Sequence, residues 1–256
     1  MAGDGAQGKT LDIDCEWAMN QESWLTADGV FETLRTYENL PFALDLHLER
    51  LERGIKEIGI IGVIRGEVER EVENEISRSH HSSGHLRIVV NRSGNVAITH
   101  KSYEPPIKSL KCLTINSSIK TGLSYKSTDY QGRFDLRDLA INRGFDDAIL
   151  ISSDGSLVES TTCNLIILTQ EGWMTPPLSS GCLPGITRRL LLENFGVREK
   201  EIKFEEIDGV RAIAVTSSLR EIQSIEEVDG KVFPNSRETE VLKTQFHSWI
   251  LGNLAL

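Results

Sequence analysis

Four short stretches carry residue types that chemistry could use. "GLSYKSTDY", residues 122–130, holds Lys126 among small and polar residues, and taken alone that lysine reads as a solvated surface charge. "SLVESTTCNLIIL" sets Glu159 between two apolar, strand-like runs. A carboxylate there is costly unless paired, so Glu159 is either a partnered, functional acid or a solvent-facing hairpin residue. "PGITRR" opens an apolar-periodic helix whose first-turn amides lack intrahelical partners. Gly185 permits close approach and Thr187 adds a hydroxyl, which suits a phosphate or makes a plain capped turn. "VTSSL" ends a strand with three hydroxyls, from Thr216, Ser217 and Ser218, either a second wall of the same anion site or another capped turn.

None of these motifs is decisive alone, but together they match one cofactor. Pyridoxal phosphate needs an amine, an acid for its ring nitrogen and a phosphate cup. Composition leaves room for such a pocket. Net charge is -10, from 28 basic and 38 acidic side chains, which argues against a general nucleic-acid or anionic-membrane surface while allowing a local basic site. Cys15, Cys112, Cys163 and Cys182 are far apart, with no CxxC pair and no histidine at ligand spacing. Reduced, buried thiols in the cytoplasm and no metal are expected. His80 and His81 lie in the polar "SRSHHSSGH" and read as a solvated turn. "MAGDGAQGKTLDID" has neither the basic start nor the apolar run of a signal peptide, and no run is long enough to span a bilayer.

The elements that must position these residues alternate between strand and helix. "GVFETLRTY" shows strand-like apolar/polar alternation, followed by a turn at "ENLP". Leu44, Leu48, Leu51, Ile55 and Ile58 recur at three- and four-residue intervals, one apolar helical face. "RGEVEREVENEISRS" predicts a charged amphipathic helix, "HLRIVVNRSGNVAITH" a hairpin around Ser93-Gly94-Asn95, and "KCLTI" a further strand. Beyond Lys126, "YQGRFDLRDLAINRG" reads as a helix closed by Gly144. A run of strands follows, then "CLPGITRRLLLENFG" as a helix closed by Gly196, strand–turn–strand over "RAIAVTSSLREIQSIEEVDGKVF", and a C-terminal helix near "SRETEVLKTQFHSWILGN". The expected fold is mixed α/β (α+β) in two domains. Residues 1–116 form a smaller N-terminal unit, 117–123 the connection, and 124–256 a larger cofactor-binding unit.

The chain resembles the fold-type IV pyridoxal-phosphate enzymes, the class IV aminotransferase family. "DGVFETLR", "HLERL", "YKSTDY", "RGFDDAIL", "DGSLVESTTCNLIIL", "TPPLSSGCLPGITR" and "TSSLREIQSI" occur in family order over about residues 24–235. The resemblance implies a cofactor in the cleft between domains, with Lys126 as Schiff-base lysine and mover of the α-carbon proton. It implies Glu159 beside the pyridine nitrogen, Arg50 facing the phosphate, and Ile186, Thr187, Thr216 and Ser217 as the remaining phosphate ligands. Tyr130 matches the tyrosine flanking the cofactor. Arg50 has no acid one turn away on its own helix, where Leu46, His47, Arg53 and Gly54 stand. The resemblance also implies a homodimer.

Reaction type divides the family. Thr33 in "VFETLR" favours aminodeoxychorismate lyase, in which a threonine commonly occupies this place and helps proton transfer; branched-chain aminotransferases carry a small residue in a "VFEGIR"-like strand. A β-branched residue also simply fits a strand. Arg87 and Arg92 are candidates for a substrate carboxylate, because guanidinium grips carboxylate as a bidentate fork; the other reading is a pair of solvated charges flanking the hairpin, the better one for Arg92. The reading is a lyase acting on an amino acid-like substrate. An amino-acid transaminase, branched-chain or D-specific, is the alternative. A non-catalytic cofactor-binding protein is more remote, because Lys126 and Glu159 are both present.

Overall fold

The structure is a computed structural model describing residues 28–117, 122–233 and 237–254. Two sheets organise it. The first has the order β2-β1-β3-β4, with β1 (Gly29–Tyr37), β2 (Leu40–Pro41), β3 (Ser83–Asn91) and β4 (Val96–Ser102), all antiparallel. Between β2 and β3 lie α1 (Leu44–Glu57) and α2 (Arg65–Ser77), which cover one face of this sheet. Leu48 and Leu51 of α1 and Val68 and Val72 of α2 pack with Val30, Leu34, Leu86, Ile88 and Val90 in one core. The expected apolar face of α1 holds, with Leu44, Ile55 and Ile58 at its partly buried margin.

β1 departs from the expected alternation, because all nine of its residues are buried. Val30 and Leu34 face the helices, whereas Phe31 and Thr33 face a cleft. With both faces covered, the polar residues of this strand are interior ones. The β3–β4 hairpin turns where expected: Asn91 Oδ1 accepts from the Ser93 and Asn95 amides, each at 3.0 Å, and Gly94 has φ 81°.

The second sheet has nine strands, ordered β10-β9-β8-β11-β12-β5-β6-β7, with β13 also on β12. They are β5 (Leu110–Asn116), β6 (Asp147–Ile151), β7 (Leu157–Ser160), β8 (Asn164–Thr169), β9 (Gly172–Thr175), β10 (Arg198–Glu199), β11 (Ala212–Ser217), β12 (Glu221–Val228) and β13 (Lys231–Val232). Helices α3 (Gln131–Asn142), α4 (Ile186–Asn194) and α5 (Arg237–Gly252) complete the chain. α3 and α4 are followed by Gly144 and Gly196 at positive φ, as the sequence requires. The run "NLIIL" is continuously apolar because both its faces are covered. Leu165 and Ile167 enter one core, and Ile166 packs with Leu190, Leu191, Leu242 and Phe246 from α4 and α5.

Residues 110–116, placed with the first unit on sequence grounds, form β5. This strand pairs in parallel with β12 and β6, so it belongs to the second sheet. A strand's sequence shows that it pairs but not with which partner, which accounts for the difference. Of the expected connection over 117–123, residues 118–121 lie outside the described residues, as does Cys15. Cys112, Cys163 and Cys182 are buried free thiols. Among the described residues no helix is long and apolar enough to cross a membrane, and no group of three His, Cys, Asp or Glu could hold a metal ion.

Candidate active site

A cleft of about 280 Å³ opens between the two sheets. It is lined by Thr33 and Arg87 from the first sheet, by Arg50 from α1, and by Lys126 and Tyr130 from the segment entering α3. Glu159, Ile186, Thr187, Thr216 and Ser217 of the second unit close the remaining walls. Thus ten of the eleven residues singled out in the sequence meet around one space. Arg92 is the exception. It sits one residue past the end of β3, is exposed, and lies 3.8 Å from the Asp28 carboxylate, away from the cleft.

Lys126 is fixed by its backbone. The Phe31 amide donates to the Lys126 carbonyl at 3.0 Å, and the Thr128 amide to the Gly29 carbonyl at 3.0 Å, so the segment is stitched to the start of β1. Its Nζ lies 4.9 Å from the centre of the Phe31 ring and 5.7 Å from that of Tyr130. Burial, with the Arg50 charge adding to it, brings the Lys126 amine down to about 8. A near-neutral pKa gives this amine a sizeable nucleophilic fraction where an ordinary lysine has almost none.

Glu159 is buried, not a solvent-facing hairpin residue. Its Oε1 accepts from Arg133 Nη2 of α3 at 2.7 Å, and its Oε2 accepts from the Leu183 amide at 3.1 Å and Asn164 Nδ2 at 3.3 Å. Such partners offset the cost of burying its charge. The anion-side walls also have the expected form. Gly185 caps α4 from an extended conformation, and its closeness to Asn164 leaves no room for a Cβ. Ile186 and Thr187, in the first turn of α4 where amides have no intrahelical partners, line the cleft. Thr216 Oγ1 donates to the Glu221 carbonyl at 2.8 Å, which shapes the turn carrying Ser217 and Ser218.

Arg50 is buried and does have an acid partner, supplied by Glu32 of β1. Arg50 Nε and Nη2 each donate to the Glu32 carboxylate at 2.7 Å, and Nη1 donates to the Pro184 carbonyl at 3.0 Å. Burial pushes Glu32 up, but Arg50 and His47 outweigh it and hold the carboxyl down at about 2. The partner is missed when acids are sought only on Arg50's own helix. The available signal was a glutamate on the same strand face as Val30 and Leu34, which had to find a cation. Sequence reasoning also passed over Arg133, Asn164, Arg137, Arg220, Tyr103 and Cys163, all at the cleft or holding its walls. Across β1 and β3, Thr33 stands directly opposite Arg87. Thr33 Oγ1 is buried with no hydrogen-bond partner among the described residues.

The family model for amino-transferase class IV matches residues 29–228. The chain belongs to the class IV aminotransferase family. It is similar to the aminodeoxychorismate lyase of Bacillus subtilis, with 28% identity over 65% of this chain and 64% of that one. It is also similar to the D-alanine aminotransferase of Bacillus licheniformis, with 23% identity over 94% of each. Among solved structures, the branched-chain aminotransferase of Thermoproteus uzoniensis with norvaline superposes with a TM-score of 0.79, at 24% identity over 88% of this chain and 86% of that one. A hypothetical aminotransferase from Mycobacterium tuberculosis in its PLP-bound form gives 0.79, at 21% identity over 88% and 89%. The fold is therefore that of the fold-type IV transaminases, and pyridoxal phosphate is the cofactor of this class IV enzyme. The residues present fit that group: a lysine amine of lowered pKa, a held carboxylate, and a helix start beside an arginine with donors to spare.

Proposed function

We propose that the enzyme is a 4-amino-4-deoxychorismate lyase, releasing pyruvate and p-aminobenzoate. Pyridoxal phosphate, when bound, supplies an electron sink for the pair left at the substrate's α-carbon. Lys126 would hold the cofactor through its amine and move the proton at that carbon. Glu159 would face the ring nitrogen, and Tyr130 would flank the ring. Arg50, Ile186, Thr187, Thr216 and Ser217 would hold the phosphate, and Arg87 the substrate carboxylate. A homodimer belongs to this reading and is tested by the mass of the protein in solution.

The observation that carries the lyase is the Thr33 hydroxyl, buried at the cleft wall with no hydrogen-bond partner among the described residues. An unpaired buried hydroxyl is costly, and a substrate or proton-transfer partner would satisfy it. The similarity to the Bacillus subtilis lyase supports the same assignment. Amino-acid transamination is the second reading, favoured by the end-to-end similarity to D-alanine aminotransferase. The test is to supply purified enzyme with 4-amino-4-deoxychorismate and measure pyruvate and p-aminobenzoate, beside keto-acid-dependent transfer from L- and D-amino acids. Turnover only in the second assay overturns the lyase.

A further inference from the structure

Behind the cleft wall runs an unbroken chain of polar groups, all buried but the last. It starts at Arg50, passes through the Glu32 carboxylate to His47, and ends on a cleft hydroxyl. His47 Nδ1 lies 2.7 Å from Glu32 Oε2, and His47 Nε2 lies 3.0 Å from Ser218 Oγ. Glu32 and His47 are fully buried, whereas Arg50 and Ser218 line the cleft. Neither inner residue lines it, so any effect they have on a ligand passes through the outer two.

The chain fixes hydrogen positions as well as atoms. Glu32 is ionised and can only accept, so His47 carries its proton on Nδ1 and donates it to Oε2. When the ring is neutral, Nε2 is an acceptor and the Ser218 hydroxyl donates to it. Burial first of all holds His47 below its ordinary value, with the Glu32 contacts opposing and the Arg50 and Lys126 charges adding to the depression. Arg50 uses three of its five N–H donors on Glu32 and Pro184, leaving two for an anion. Its fork is thus oriented before any ligand arrives.

We propose that Glu32 and His47 are positioning residues for the cofactor's phosphate end, Glu32 by locking the Arg50 guanidinium and His47 by fixing the rotor of Ser218. The proposal rests on the reading above that Arg50 faces the phosphate. Three consequences follow. Loss of the Glu32 charge frees Arg50 to rotate and weakens phosphate binding. Loss of the His47 acceptor frees only Ser218 and weakens it less. The Glu32 charge also acts on Lys126, but alike for a ligand with and without the phosphate, so the difference between the two ligands registers the positioning.

The experiment titrates apo-protein with pyridoxal phosphate and, in parallel, with pyridoxal, following absorbance. For Glu32→Gln, affinity for pyridoxal phosphate should fall on the order of tenfold or more, as removal of an outer-shell partner does elsewhere. Affinity for pyridoxal should stay within about twofold. His47→Gln and Ser218→Ala should show smaller losses that are not additive in the double variant. Equal losses for both ligands, or none, overturn the proposal by making the chain a packing device. His47→Gln leaves the Arg50–Glu32 fork in place and decides the matter should Glu32→Gln not fold. Arg50→Gln is the control. If it fails to separate the two ligands, the phosphate reading of Arg50 is wrong; if it separates them and Glu32→Gln does not, only the present proposal fails.

Discussion

Replacing Gly185 by alanine adds one carbon at the start of α4 and nothing else. The backbone there, φ -68° and ψ 142°, is open to any residue, so no strain comes from the main chain. The new Cβ would stand 2.0 Å from Asn164 Oδ1 and 3.2 Å from its Cγ, closer than atoms approach without displacement. Asn164 cannot move freely, because its Nδ2 donates to the Leu183 carbonyl at 2.9 Å and to Glu159 Oε2 at 3.3 Å. Overpacking of this kind costs about 1–3 kcal/mol, and at this chain length each kcal/mol shifts Tm by about 2–4 °C. The expected result is a Tm lower by about 2–12 °C, together with weaker retention of pyridoxal phosphate, since Glu159 and the helix start shift together. Thermal unfolding and cofactor titration measure both. Asn164→Ala in the same chain makes room for the methyl group, so the double variant should be less destabilised than the sum of the singles. Gly66→Ala is the contrast: nothing lies within 4 Å of its Cβ, and a helical alanine should leave stability unchanged or raised by about 0.5–1 kcal/mol. Additive losses for Gly185 and Asn164 would refute the steric argument.

Other outcomes follow from the same geometry. With its pKa at about 8, Lys126 is roughly a quarter neutral at pH 7.5, against about one part in a thousand for an ordinary lysine. Apo-protein treated with pyridoxal and borohydride should therefore label Lys126 with a midpoint near pH 8, levelling off above about pH 9. Lys126→Ala is the control: the label that saturates in this range should disappear with the amine. Arg87→Ala should raise KM for a carboxylate substrate about tenfold or more, and Arg92→Ala should change it less than twofold, because only Arg87 lines the cleft. Thr33→Val keeps the shape and removes the hydroxyl; kcat for pyruvate release should fall about a hundredfold with cofactor affinity unchanged. Full activity in that variant removes the argument for the lyase.

Much of the site was legible because its chemistry demands unlike residue types in fixed order: an amine, an acid, a helix start and a hydroxyl turn. Helix periodicity and glycine stops placed α1, α3 and α4. Four things were not legible, each for a physical reason. The faces of β1 were misread because alternation shows two faces but not that a cleft buries the second. Arg50's partner was missed because Glu32 is 18 positions away and joins it only across a helix–sheet interface. Which arginine enters the cleft was not fixed by the sequence, although Arg92 already reads better as a solvated hairpin charge; pairing sets Arg87 opposite Thr33, and Arg92 lies exposed beside Asp28. The affiliation of β5 likewise depends on partners distant in sequence.

The central claim is that Lys126 carries the cofactor's chemistry in this cleft. The most direct measurement reduces the protein with borohydride after pyridoxal phosphate is added and maps the modified peptide by mass. The account predicts a yellow protein whose visible band is lost on reduction, with the phosphopyridoxyl group on Lys126, and neither band nor label at that position in Lys126→Ala. A label on another lysine, or a wild-type protein that takes up no cofactor, would contradict it.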